Sequence, residues 1–184
     1  MGGTSTDVSR FDGQIDREYS TEIAGVRLRA EMMAINTVAA GGGSICELKN
    51  GRLCVGPHSA GAKPGPLCYG FDDAKDLTVT DINLFLGRIS AERFPFPLDK
   101  KPVISALEQV SQNANSDSVD IANGFLSVAN HHMAEAIHRI TVAKGHDPRE
   151  FDLVVFGGAG GQHCCAIARL LGMKRIISHP FAGV

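Results

Sequence analysis

A chain of 184 residues, 43% hydrophobic and 21% charged, has enough apolar sequence to bury one core or two small lobes. Its formal charge of -2, with the signs interspersed, argues against a nucleic-acid or acidic-membrane binder. No apolar run approaches the roughly 20 residues that cross a bilayer, and no basic-then-apolar start resembles a secretory signal, so a cytoplasmic location is expected. The odd set of cysteines, Cys46, Cys54, Cys68, Cys164 and Cys165, fits neither a disulfide framework nor a C-x-x-C metal knuckle and reads as reduced thiols.

The first stretch, MGGTSTDVSR, combines glycines with Thr4, Ser5, Thr6 and Asp7. Glycines allow tight turns and close approach to a ligand, while hydroxyls and backbone N–H groups suit an anion, so a phosphate loop and a frayed terminus are the two readings. ICELKNGRLCVGP predicts a hairpin about Asn50-Gly51, with Cys46 and Cys54 facing each other across it. GPHSAGAKPGP then reads either as a rigid turn or as a lining of the substrate or subunit boundary. TVTDINLFLG predicts a helix start capped by Thr80 or Asp81, Asp81 being also a catalytic candidate and Asn83 lying just inside the same helix.

Residues 1–98 carry strand and hairpin signals, and residues 99–184 turn helical. KPVISALEQVSQ is a helix with its proline near the start, ended by NANSDS. Ile121, Phe125, Val128, Ala129, His132, Met133, Ala136, Ile137 and Ile140 form the apolar stripe of a longer helix that Gly145 ends and Pro148 keeps from resuming. On that helix His131, Glu135 and His138 have metal-ligand spacing, although a solvated polar stripe is the favoured reading. FDLVVF, GGAGG, QHCCAIARLLG and RIIS then spell strand, glycine loop, helix and strand, a βαβ unit with any ligand over Gly157 to Gly161. His163 stands where G-x-G-x-x-G requires a glycine, and no acid follows at ribose-binding distance, so a dinucleotide is disfavoured. Cys164 and Cys165 at the helix start are either small packing residues or reactive thiols.

The segments GGTSTDVSRFDG, INTVAAGGGSI, VGPHSAGAKPGPLCYG, TVTDINLFLGRI and KGHDPREFDLVVFGGAGGQHCCAIARLLGM resemble, in order and spacing, the hydantoinase A and 5-oxoprolinase family over the whole chain. The resemblance implies an α/β fold, part of an actin/Hsp70/sugar-kinase-like (ribonuclease H-like) ATPase domain. Hairpins in a mixed sheet, C-terminal helices and the βαβ unit would make it up. It implies ATP and Mg²⁺ as cofactors, with Gly2, Gly3, Thr4 and Thr6 on the phosphates and Asp7, the catalytic candidate, on the hydrated Mg²⁺ or orienting the nucleophile; Gly157, Gly158, Gly160 and Gly161, bare of side chains, suit the flatter adenosine end. The activity implied is ATP-dependent opening of a cyclic amide, 5-oxoproline or a hydantoin, through a phosphorylated amide. An ATP-dependent ketone carboxylase subunit and a non-catalytic nucleotide-binding module are the alternatives. It further implies a piece of a longer, oligomeric enzyme, inactive alone, with a hydantoinase B-type partner subunit or domain.

Overall fold

The computed structural model describes residues 1–19, 21–23 and 25–183. Strands β1 (Thr6–Val8), β2 (Arg17–Glu18), β3 (Thr21–Ile23), β4 (Val26–Leu28), β5 (Met32–Met33) and β6 (Asn36–Val38) pair antiparallel as β1–β6, β2–β5 and β3–β4. Nested inside β1 and β6, the β2–β5 and β3–β4 pairs make with them one irregular antiparallel arm. Near its base Arg10 grips Asp16 through two hydrogen bonds, at 2.8 and 2.6 Å, and lies 5.6 Å from the centre of the Phe151 ring.

The predicted hairpin forms from β7 (Ser44–Lys49) and β8 (Arg52–Ser59), and Asn50 (φ 50°) and Gly51 (φ 73°) both take the positive φ that a tight two-residue turn requires. That turn pairs Lys49 with Arg52, which places Cys46 opposite Val55 and Cys54 opposite Glu47. The two thiols therefore do not face each other. Side chains alternate between faces along a strand, so Cys46 is buried and Cys54 half-buried.

Helix α1 (Val79–Phe85) is capped by Thr78 rather than by Thr80 or Asp81. Thr78 is the last extended residue, and Asp81, three positions on, accepts from the Thr78 N–H at 2.8 Å, a capping box. Helix α2 (Lys101–Ala114) starts with Pro102 in its first turn and ends at Asn115 (φ 49°). Helix α3 (Ser118–Ile140), capped by Asp117, is the central element, packing on α1, α2, β6 and β8. It stops before the predicted Gly145. The Thr141 hydroxyl donates back to the Ile137 carbonyl at 2.7 Å, and a 3-10 turn over Val142–Lys144 runs on to Gly145 (φ 83°). Phe125, Ala129, Met133 and Ile137 of the stripe, and Leu126 beside it, are buried with Ile82, Leu84, Val103 and Leu107, whereas His132, at the stripe's margin, is exposed.

The βαβ unit is present as read: β9 (Leu153–Val155) and β10 (Ile176–Ser178) pair in parallel, joined through α4 (Cys164–Leu171), which Gly172 (φ 68°) ends. The described strands group as four antiparallel pairs and one parallel pair, an α/β architecture in which the two kinds of pairing occupy separate ribbons. No helix among the described residues is long and apolar enough to cross a membrane.

Candidate functional site

Loop 156–163 leaves the carboxyl end of β9, and the chain's first residues meet it there. The Met1 nitrogen donates to the Phe156 carbonyl at 2.9 Å, and the Ala159 N–H reaches the Met1 carbonyl at 3.4 Å. A third glycine run, Gly41–Gly43, closes the arrangement. Its Gly42 and Gly43 N–H groups donate to the carbonyls of Gly2 (3.0 Å) and Gly3 (2.5 Å), and the Gly43 carbonyl accepts from Ala60 at 2.9 Å. Segments 1–4, 41–43, 59–61 and 157–160 thus converge. In the sequence Gly41–Gly43 entered only within the family-like segment INTVAAGGGSI, with no role assigned to it, since a run of glycines before a hairpin is equally well a connector.

The glycines of this cluster fall into two groups. A Cβ on Gly41 would lie 2.6 Å from the Gly3 oxygen, one on Gly157 (φ 86°) would strike the Met1 carbonyl, and one on Gly160 would meet Val155 at 2.9 Å. These three are glycine because protein backbone or a β-branched side chain already fills the space. By contrast Gly2, Gly3 and Gly161 have nothing within 4 Å of the position a methyl would take, and Gly158 only a carbonyl at 3.9 Å; all four are exposed. Only the second group leaves room for a ligand to come close to the backbone; at Gly2 the N–H is taken by the Ser5 carbonyl at 3.1 Å and the carbonyl by Gly42.

Thr6 is buried and its hydroxyl donates to the Ala40 carbonyl at 2.5 Å, tying β1 to the glycine run, while Thr4 is exposed. Asp7 stands exposed on β1, and its Oδ1 accepts from the Thr37 hydroxyl at 2.6 Å. With Met1, Phe156 and Gly160 it lines a cavity of about 70 Å³. A second, larger cleft of about 680 Å³ continues between β1 and β9 and is lined by Val8, Phe11, Ile15, Leu153, Phe156 and Ile177.

No group of three His, Cys, Asp or Glu side chains among the described residues is placed to hold a metal. Mg²⁺ commonly takes one or two carboxylates beside substrate phosphates, and Asp7 is one exposed carboxylate. His131, Glu135 and His138 are exposed, with the His131 ring bonded back to the Ser127 carbonyl of its own helix at 2.8 Å. Burial pushes the thiols of Cys46, Cys68 and Cys164 up, which argues against reactive thiolates there.

Asp81 is fully buried and accepts from the N–H groups of Leu67 (3.2 Å), Cys68 (2.8 Å) and Thr78 (2.8 Å) and from the Thr78 hydroxyl (2.8 Å). It anchors the end of the GPHSAGAKPGP loop, whose other side packs on Gly43, and does not face the glycine cluster with a spare oxygen. A residue that sequence reasoning missed is His163, which entered it only as a defect in a dinucleotide motif. Its ring is fully buried between Asn83 Nδ2 (3.1 Å from Nε2) and Asn130 Oδ1 (2.8 Å from Nδ1). Burial first, and then the Arg88 charge, bring its pKa down to about 4.

The sequence profile of the hydantoinase/oxoprolinase family matches residues 1–184. The chain belongs to that family. It is 47% identical over 198 aligned positions to the 5-oxoprolinase PfmaA of Pestalotiopsis fici, covering all of this chain and 15% of that protein. The crystal structure of the ATP-dependent caprolactamase from Pseudomonas jessenii superposes with a TM-score of 0.89 at 33% identity, over 99% of this chain and 27% of that one. A nucleotide-free acetone carboxylase structure superposes at 0.88 with 24% identity, over 99% and 26% of the two chains, and shows the shared fold. The chain thus spans a minor part of the length of the proteins it matches, and the α/β expectation holds for this family member.

Proposed function

We propose that the polypeptide carrying this chain is an ATP-dependent hydrolase of a cyclic amide, and that this chain supplies part of its nucleotide site. The observation that supports the reading most is the convergence of loops 1–4, 41–43 and 157–160 beside the exposed carboxylate of Asp7. Relatives bearing the names 5-oxoprolinase and ATP-dependent caprolactamase point the same way, both names describing enzymes of cyclic amides.

When bound, Mg²⁺-ATP would supply a phosphoryl group that, on the amide oxygen, opens the ring carbon to attack by water, so that the ring C–N bond can break and a second water can release the phosphate. At the exposed turn Gly2–Thr4, the Gly3 N–H and the Thr4 hydroxyl would hold phosphate oxygens, while Gly2, whose N–H donates to the Ser5 carbonyl at 3.1 Å, shapes the turn and lets the phosphates come close. Asp7, fixed by the Thr37 hydroxyl, would orient a metal-bound water or the attacking oxygen. Gly158 and Gly161 present backbone without side chains to the flatter end of the nucleotide, while Gly157, Gly160 and Thr6 hold the loops together. The part of the ring-opening site that chooses the amide is assigned to the rest of the polypeptide or to a partner of the hydantoinase B kind. The subunit designation of the Pseudomonas jessenii caprolactamase alpha chain, 36% identical over 183 positions, supports such a partner.

The test is ADP release by the full-length polypeptide, with its partner, given Mg²⁺-ATP and in turn 5-oxoproline, a hydantoin, caprolactam, or acetone with bicarbonate. Stimulation by a cyclic amide is expected. Stimulation by the ketone alone would make the protein a carboxylase, and tight ATP binding with no stimulation would leave a nucleotide-binding module.

A further inference from the structure

A buried imidazole flanked by two asparagines is a costly way to fill a core, because each polar atom must find a partner or lose its hydration for nothing. Here the set is not even complete: the Asn83 Oδ1 atom is buried with no partner among the described residues. What the arrangement does achieve is a fixed geometry. The Asn83 amide nitrogen donates to His163 Nε2, so Nδ1 carries the ring proton and donates to Asn130 Oδ1; one tautomer and one ring orientation satisfy both contacts.

The positions these three residues occupy give that rigidity a target. His163 ends the glycine loop that begins at Gly157, and Asn83 lies one turn beyond Thr80 on α1. Thr80 holds the other loop, donating to the Gly42 carbonyl from its N–H (2.7 Å) and its hydroxyl (2.8 Å). A Cβ on Gly42 would stand 3.6 Å from that of Ala159, so the two loops touch where α1 fixes both. Asn130 ties the same ring to α3, the central helix.

We propose that His163 is a positioning residue for the glycine cluster: locked between Asn83 and Asn130, it sets the distance between loop 157–161 and the loop pair 1–4 and 41–43. The residue touches no ligand. Its effect on nucleotide affinity rests on the nucleotide reading of these loops, whereas its effect on their order in the free protein does not.

The experiment compares wild type, His163→Leu and His163→Gln in the full-length polypeptide by three readouts: amide hydrogen exchange without nucleotide, affinity for a non-hydrolysable Mg²⁺-ATP analogue, and melting temperature. His163→Leu keeps the volume and drops both hydrogen bonds. It is expected to speed exchange at least tenfold in segments 41–43 and 157–161 while the α2–α3 core stays protected, and to weaken the analogue tenfold or more. His163→Gln, whose amide can accept from Asn83 and donate to Asn130, is expected to restore most of both. Exchange in the loops unchanged in His163→Leu, or raised uniformly with the core and a falling melting temperature in both variants, overturns the proposal. A wild type that binds no analogue overturns the nucleotide reading instead, and the exchange pattern then decides the positioning role alone.

Discussion

The carbonyl oxygen of Gly2 accepts the Gly42 N–H at 3.0 Å, and the carbonyl of the same Gly42 accepts twice from Thr80. One residue therefore joins the chain's first loop to the first turn of α1, and through Asn83 on that helix to His163 at the end of the third loop. Segments far apart in sequence are held in register by backbone groups rather than by long side chains, which have more conformational freedom to lose.

Glycine substitutions in the cluster should separate packing from ligand access. Gly41→Ala forces a methyl to within 2.6 Å of the Gly3 oxygen and the Thr4 carbonyl carbon, neither of which can swing aside. Denaturant titration should show a loss of about 1–3 kcal/mol, with Gly157→Ala at least as severe because its φ of 86° adds backbone strain. Gly2→Ala and Gly3→Ala meet empty space and should change stability by less than about 0.5 kcal/mol yet weaken nucleotide binding. Unchanged nucleotide affinity in both would remove this loop from the phosphates.

Asp7→Asn preserves the acceptor for the Thr37 hydroxyl and removes the charge. In the substrate-stimulated ADP-release assay its turnover should fall by roughly 10²–10³-fold, the usual cost of deleting one stabilising group. The melting temperature should hold, since the side chain is exposed. Wild-type turnover in this variant would exclude Asp7 from the chemistry.

Asp81 predicts the opposite profile. Asp81→Ala orphans three buried N–H groups and a hydroxyl, and Asp81→Asn turns an amide NH₂ toward some of them. Each unpaired buried group costs about 1–3 kcal/mol, so the alanine variant should lose about 3 kcal/mol or more in chemical denaturation. A variant as stable as wild type would show that the loop carrying Leu67 and Cys68 does not depend on this carboxylate.

His163 gives a pH signature with a definite sign. Its pKa falls from an ordinary 6.5 to about 4 on folding, so between those values the unfolded chain binds the proton that the folded chain refuses. The stabilising contribution is complete above pH 6.5, declines as pH falls toward 4 and is gone below it, about 3 kcal/mol across the window. Measured stability in His163→Gln should lack that part of the slope. The Asp16 carboxyl, held low chiefly by its hydrogen bonds to Arg10, gives up its stabilisation only at more acid pH, as its lowered pKa is approached, and does not confuse the window.

Local rules were enough for the elements whose cause is local. Asn50-Gly51 requires positive φ and specified the β7–β8 turn; the 3.6-residue apolar stripe specified α3; an apolar run, a glycine loop and a helix specified the parallel β9–β10 pair. The motifs spread along the whole chain identified the family, and the N-terminal glycines with Asp7 named the candidate site. Tertiary structure decided the rest. The register of the hairpin, not the spacing of its cysteines, separated Cys46 from Cys54, and the place of Thr78 at the end of an extended segment made it, rather than the equally suitable types Thr80 and Asp81, the cap of α1. Which glycines pack and which stay open depends on what stands within a few ångströms of an absent Cβ. The same holds for His163: a histidine's partners across the core carry no mark in the sequence around it, because hydrogen bonds between α1, α3 and the loop before α4 exist only once those three segments have been brought together.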